Sequence, residues 1–316
     1  MTNKQEFTII QYLPLTRARA TRKFLNKLNH KNINAILDLE DSAQDPFDLE
    51  ETRRLKKEAR SGLLTISHSF KEEFTSQIYI RINAQNTEFY EEDIEVVAES
   101  IRNGMPIGGI FFPKTEDYKS LKNLAEFFLI QGIEIEIVPM IETKKGYERL
   151  EGLLIEDQNN GLFSKVHYGH FDYALDSDLW PFPDPFHEDF WKIIIPMAQL
   201  LDQYKKIYIH TPFPFPNDHQ LFWSSQMHLR KLMTSLNFWA CTLNLELSLS
   251  DCPEIIEELK IKELTKVSEH LIKEAELIID DFHKGRANKR SFGMSSKRFI
   301  PPHQFFGAEK YLKKIK

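Results

Sequence analysis

The residues equipped for chemistry fall at a few sharply placed points. In chain order they are the acid string Asp38-Leu39-Glu40-Asp41-Ser42, then Arg81-Ile82-Asn83, Pro113-Lys114, Ile141-Glu142-Thr143, Gly169-His170-Phe171-Asp172 and His210. Each follows a short apolar run rich in β-branched residues. Two carboxylates held close together repel unless one is protonated or a cation lies between them. Glu142 and Asp172 form such a pair if their strands are neighbours, and all-oxygen ligation with room for water suits Mg²⁺ or Mn²⁺. The planar guanidinium of Arg81 is shaped to grip a substrate carboxylate through two parallel hydrogen bonds. Glu40 and Asp41 then orient Arg81 or hydrogen-bond metal-bound waters. Such a mouth suits an anionic substrate with a carbonyl beside its carboxylate, the metal stabilising an enolate. A single acid at a strand end is commonly a helix cap, and Asp117 and Thr143 read as caps. The weight lies in the succession, because five consecutive strands all end in a charge.

The elements that must position these groups alternate along the chain. Strands are expected at 8–13, 34–39, 77–82, 108–112, 133–140, 165–168, 206–209 and 238–243. Helical periodicity fills 16–29, 49–64, 90–103, 117–131, 145–156, 187–204 and 218–236, and 253–284 reads as one or two long helices. Eight such units imply a parallel sheet closed into a (β/α)₈ TIM barrel, with chemistry at the C-terminal strand ends. No Gly-rich phosphate turn follows the first strand, where Leu13-Pro14-Leu15-Thr16 stands. The 316 residues then divide into a barrel at 1–284 and a C-terminal helical extension at 285–316, a lid or oligomer contact.

Composition excludes several classes. With 41% hydrophobic residues the chain is not disordered. Its 41 Lys+Arg against 47 Asp+Glu give a net charge of −6, which speaks against nucleic acid. No apolar run approaches the roughly 18 residues of a membrane span. The polar start carries no signal peptide, so a cytoplasmic protein is expected, with Cys241 and Cys252 as reduced thiols.

The strand-end strings, in this order, resemble the citrate lyase β-subunit-like family of the HpcH/HpaI aldolase superfamily. The resemblance rests on Leu37-Asp38-Leu39-Glu40-Asp41-Ser42, Arg81-Ile82-Asn83, Phe112-Pro113-Lys114, Ile141-Glu142-Thr143 and Gly169-His170-Phe171-Asp172, with Lys56-Lys57-Glu58-Ala59-Arg60 matching a Lys-x-x-Ala-Arg pattern. It covers residues 8–175 well and the remainder loosely. It implies Mg²⁺ held by Glu142 and Asp172, with Arg81, Glu40, Asp41 and Lys114 as the catalytic set. It implies a carbon–carbon lyase or aldolase acting on a small oxo-acid or acyl thioester, in a homotrimer or hexamer. The alternative is a catalytically altered barrel, or accessory subunit, that binds an anionic ligand without lyase activity.

The second half departs from the pattern. Acyl-CoA-handling members carry Ile-His-Pro-x-Gln after strand eight, whereas Thr242-Leu243-Asn244-Leu245-Glu246-Leu247 stands here, which weighs against a CoA thioester. Malyl-CoA lyase-like members offer an Asp from the C-terminal extension into a neighbouring active site, and Pro301 takes that position in 297–303. His170, His210 and His303 are the candidate replacements as acid/base. His167 and His170 are expected on opposite faces of a strand and so not as a zinc pair. Segment 172–185 is either a pocket wall or a rigid packed connection. Lys284, Arg286, Lys289, Arg290, Lys297 and Arg298 form a basic cluster for an anionic tail or a solvated linker, and Gly285 and Gly293 suit a hinge.

Overall fold

The computed structural model describes residues 7–70, 74–264, 267–288, 290–295 and 298–315. Eight parallel strands close into a barrel in sequence order: β1 (Thr8–Pro14), β2 (Asn34–Asp38), β3 (Ile78–Arg81), β4 (Ile107–Phe112), β5 (Glu136–Ile141), β6 (Lys165–Tyr168), β7 (Ile207–Ile209) and β8 (Phe238–Thr242). β1 pairs with both β2 and β8, which removes every sheet edge. Between the strands run α1 (Ala18–His30), α2 (Leu49–His68), α3 (Tyr90–Arg102), α4 (Tyr118–Ile130), α5 (Lys144–Asn160), α6 (His170–Asp176), α7 (Glu188–Gln203) and α8 (His219–Leu232). After β8 come α9 (Leu245–Leu249), α10 (Ser268–Ala287), the short strands β9 (Gly293–Met294) and β10 (Phe299–Ile300), and α11 (Pro302–Ile315).

Strand periodicity sorts the core into two layers. Ile10, Tyr12, Ile36, Tyr79, Phe111, Val138, Met140 and Trp239 fill the barrel interior. The intervening positions, such as Leu37, Ile80, Ile110 and Ile137, pack outward against the helices. The inward series then runs on into the charged groups. Ile36 leads to Asp38, Tyr79 to Arg81, and Val138 and Met140 to Glu142. Asp38 and Arg81 stand directly opposite each other across β2 and β3. The expected caps are present, since Asp117 accepts from the Ser120 amide at 2.8 Å and Thr143 from that of Gly146 at 2.9 Å.

Four expectations are corrected. Asp172 is not at a strand end but in the first turn of α6, and His170 opens that helix. His167 and His170 are therefore not on opposite faces of one strand, and both line the same cavity. Among the described residues of 253–284, helix begins only at Ser268, where α10 starts. The Lys262 amide instead donates to the Phe186 carbonyl at 2.8 Å and its carbonyl accepts from Glu188 at 2.9 Å, so tertiary bonds override the local helical pattern. Gly285 and Gly293 are not a hinge but a crossing point. A Cβ on Gly285 would lie 2.0 Å from the Phe292 carbonyl oxygen, and one on Gly293 would lie 2.7 Å from the Phe282 Cα.

α10, β10 and α11 share a small core of Ala275, Ile278, Phe282, Ile300, Phe305 and Ala308, with Trp180 against its edge. α10 runs unbroken across 284/285. Three members of the basic cluster form ion pairs. Lys284 meets Asp280 and Asp281 within its own helix, Arg286 reaches Asp45 at 2.6 Å, and Arg298 reaches Asp184 at 3.0 Å. The last two tie the extension to the barrel. Lys289 and Lys297 lie outside the described residues.

Candidate active site

A cavity of about 610 Å³ opens at the C-terminal ends of the strands. Tyr12, Asp38, Asp41, Arg81, Glu142, His167, Asp172 and His303 all line it. The bidentate grip expected between Arg81 and a substrate is made instead within the protein. Nε donates to Asp38 Oδ1 at 2.7 Å and Nη2 to Asp38 Oδ2 at 2.6 Å. Nη1 faces Asp41 at 2.8 Å and Glu40 at 3.1 Å, and the guanidinium lies 4.8 Å over the Tyr12 ring. Burial would raise the Asp38 pKa, but Arg81 and the Ser42 and Glu40 amides hold it below the usual range. Burial, Asp41 and Glu142 push Glu40 well up, Arg81 only partly opposing.

The β2 end is locked from beneath. The buried Lys56 ammonium donates to the Leu39 carbonyl at 2.8 Å and the Glu40 carbonyl at 2.6 Å. Arg60, four residues on, meets Asp93 at 3.0 Å, and Asp93 in turn accepts from the amide and side chain of Asn83. The Lys56–Arg60 pattern therefore shapes the loops after β2 and β3 without entering the cavity.

Glu142 owes its position to a missing side chain. The inward series of β6 passes from His167 to Gly169, and a Cβ there would lie 2.3 Å from Glu142 Oε1. The carboxylate accepts from the Lys114 amide at 3.1 Å, where Lys114 has a left-handed backbone with φ of 51°. Burial and the charge of Asp172 raise the Glu142 pKa to about 7. Asp172 moves the other way. Burial opposes its charge, but His303 Nε2 at 3.1 Å and Lys114 Nζ at 3.3 Å hold it well below the usual range. Against the cost of burial, Asp172 raises His303 to about 9. One donor atom each from Asp41, Asp172 and His303 lies within 4.8 Å of the others, so Asp172 is shared between two possible donor sets.

Of the three histidines proposed as acid/base, His303 reaches the charged cluster, and its Nδ1 is buried with no hydrogen-bond partner among the described residues. His170 lines the cavity wall, where burial lowers its pKa to about 4. His210 bonds Tyr208 at 2.8 Å and stacks on Trp191, away from the cavity lining. His303 comes from the same chain, on α11, two residues past Pro301. Segment 172–185 divides its two readings. Asp172 faces the cavity, while Trp180 stacks on Tyr311 and Phe182 is buried beneath α11.

Tyr12 has no counterpart among the residues singled out from the sequence. Its hydroxyl meets His167 Nε2 at 3.1 Å, and His167 Nδ1 meets the Ile209 carbonyl at 3.1 Å. One tyrosine in an apolar strand gives no sign that it faces a charged floor.

A closed (β/α)₈ barrel with a carboxylate-rich mouth and a helical extension folded over it is the class these features define. No family model and no curated protein matches the chain. Solved structures do share the fold. Malate synthase of Haloferax volcanii, in a pyruvate/acetyl-CoA ternary complex, is 14% identical with a TM-score of 0.73, covering 100% of this chain and 92% of that one. CitE of Mycobacterium tuberculosis, with magnesium, acetoacetate and coenzyme A, is 14% identical with a TM-score of 0.57, covering 98% of each chain. RipC of Yersinia pestis is 18% identical with a TM-score of 0.55, covering 78% of this chain and 94% of that one. The fold expected from the citrate lyase-like resemblance is the fold observed.

Proposed function

We propose that this chain is a divalent-cation-dependent carbon–carbon lyase or aldolase that makes or breaks a bond beside the 2-oxo group of a small carboxylate. The observation that carries the reading is the cluster at the mouth. Asp38, Glu40, Asp41, Glu142 and Asp172 are five carboxylates, set against three cations: Arg81, Lys114 and a protonated His303. Glu142 and Asp172 suit Mg²⁺ or Mn²⁺. Both are hard oxygen donors, and Gly169 leaves the Glu142 carboxylate room. A cation bound there would supply charge stabilisation for an enolate oxygen. The named ligands of malate synthase and CitE are small oxo-carboxylates and CoA compounds, which agrees with an anionic substrate.

The chain's own residues have separable tasks in this scheme. Asp38 fixes the Arg81 plane, so Arg81 attracts the substrate carboxylate by charge through its Nη1 edge. Lys114 offers a second positive charge beside Asp172. In the cleavage direction the electron pair of the broken bond moves into the 2-oxo group. The enolate carbon beside the 2-oxo group then takes a proton, which we assign to His303 Nδ1, while the other carbon leaves as a carbonyl with loss of its hydroxyl proton to solvent. Asp172 orients the ring through Nε2, as a carboxylate orients a catalytic imidazole. The covered mouth keeps water from the nascent carbanion.

The test is exchange of the pyruvate methyl protons in D₂O with Mg²⁺, followed by NMR. The reading predicts Mg²⁺-dependent exchange that Glu142→Gln abolishes and His303→Asn slows by about 10²-fold or more. No exchange above the Mg²⁺ blank with pyruvate, oxaloacetate or acetyl-CoA would contradict it.

A further inference from the structure

The charged cluster occupies only one end of the cavity. Phe171, Phe213, Phe292, Met294 and Phe299 line the rest together with several prolines. Phe292 and Phe299 lie 5.0 Å apart, and Phe299 lies 6.4 Å from Phe171. Phe171, Phe292, Met294 and Phe299 are half-buried, yet none joins the barrel cores or the core of the extension. Large apolar side chains are normally placed where they bury against one another. These four turn their faces to the cavity.

The wall is firmly held. The Phe299 amide donates to the Pro214 carbonyl at 2.9 Å, β9 pairs Met294 with Phe299, and the crossing at Gly285 and Gly293 presses this turn onto α10. Polar groups are sparse there. The Asn244 side chain is spent on its own helix cap and on the Pro216 carbonyl, and Arg290 stands exposed at the rim. A cavity of about 610 Å³ far exceeds what a three- or four-carbon oxo-acid fills, and it lies in the range that encloses drug-sized molecules.

Resting on the reading above, we infer that the substrate is a 2-oxo acid whose far end carries a bulky apolar or aromatic group, seated on Phe171, Phe292, Met294 and Phe299. In the cleavage direction the substrate carries a hydroxyl on the carbon bearing the apolar group. That hydroxyl gives its proton to solvent as the C3–C4 bond breaks, and its carbon leaves as the aldehyde or ketone. The bonding pair passes into the oxo-acid enolate, whose C3 takes a proton from His303. The continuity of this wall with the charged floor makes the two ends parts of one site. Segments 290–295 and 298–301 thus fix specificity as well as covering the mouth.

Isothermal titration of the full chain with Mg²⁺ compares 2-oxobutanoate with 2-oxo-4-phenylbutanoate, which differ only in the ring. The phenyl ligand is expected to bind about tenfold tighter or more. That preference shrinks toward unity in Phe292→Ala and in Phe299→Ala and is largely kept in Phe292→Leu, which controls for folding. Equal affinities in the unaltered chain, a preference surviving both alanine variants, or displacement of the phenyl ligand by acetyl-CoA would overturn the inference while leaving the lyase reading standing. Failure of both ligands to bind with Mg²⁺ would remove that reading and this inference together.

Discussion

Asp38 and Arg81 face each other across β2 and β3, both nearly sealed from solvent. Removing one partner of such a pair strands the other as a buried charge. Arg81→Met should cost about 3–5 kcal/mol in urea unfolding, and Asp38→Asn on the same background should recover part of it. A loss confined to activity, with no change in stability, would contradict the pairing. Gly169 makes a sharper prediction. An added methyl group meets the Glu142 carboxylate, so Gly169→Ala should weaken Mg²⁺ binding by about tenfold or more while the circular dichroism spectrum stays unchanged. Residue identity was legible wherever a charge ended an apolar run, as at Arg81 and Glu142. Whether Arg81 grips a substrate or Asp38 was not legible. Both are carboxylates to its guanidinium, and the choice depends on register. His303 stood out no more than His210, because only the path of the extension separates them.

The loop after β2 is an element held by one buried side chain. Lys56 reaches up from α2 to two carbonyls, and burial lowers its pKa although Glu40 and Asp38 oppose this. Lys56→Met keeps the apolar stem and removes both bonds. It should destabilise the fold by about 1–3 kcal/mol and raise amide exchange at Leu39 and Glu40. Unchanged protection at those amides would show that the loop is held by other means. Strand positions were legible from short apolar, β-branched runs, and β6 spans 165–168 as expected. The helix expected from residue 253 onward failed where the Lys262 backbone bonds the Phe186–Glu188 segment, a partner that no local pattern reveals. α6 was missed because its seven residues are too few for a periodicity to register.

For the whole molecule, buried neutral imidazoles set the response to acid. Burial lowers His167 and His210 to about 3, while an unfolded chain binds those protons near pH 6.5. Between these values the unfolded state holds more protons. The stabilisation is therefore complete above pH 6.5 and drains away as the pH falls toward 3. His210→Phe, far from the cavity lining, should flatten the slope of unfolding free energy against pH from 6 to 4. The change should be about 1.4 kcal/mol per pH unit, read from urea titrations. An unchanged slope would mean that His210 is protonated in the fold. The barrel was legible at this scale because eight alternating units allow little else, whereas the course of the last fifty residues over the mouth was not. It depends on contacts such as Arg298 with Asp184 between segments far apart in the chain.

The central claim is that this mouth is a divalent-cation and oxo-acid site, and a crystal soaked with Mg²⁺ and oxalate tests it most directly. The account predicts one octahedral ion ligated by Glu142 and Asp172, with oxalate against it and within reach of Arg81 Nη1. An ion held by Asp41, Asp172 and His303 with Glu142 uninvolved, or no ion at all, would contradict it.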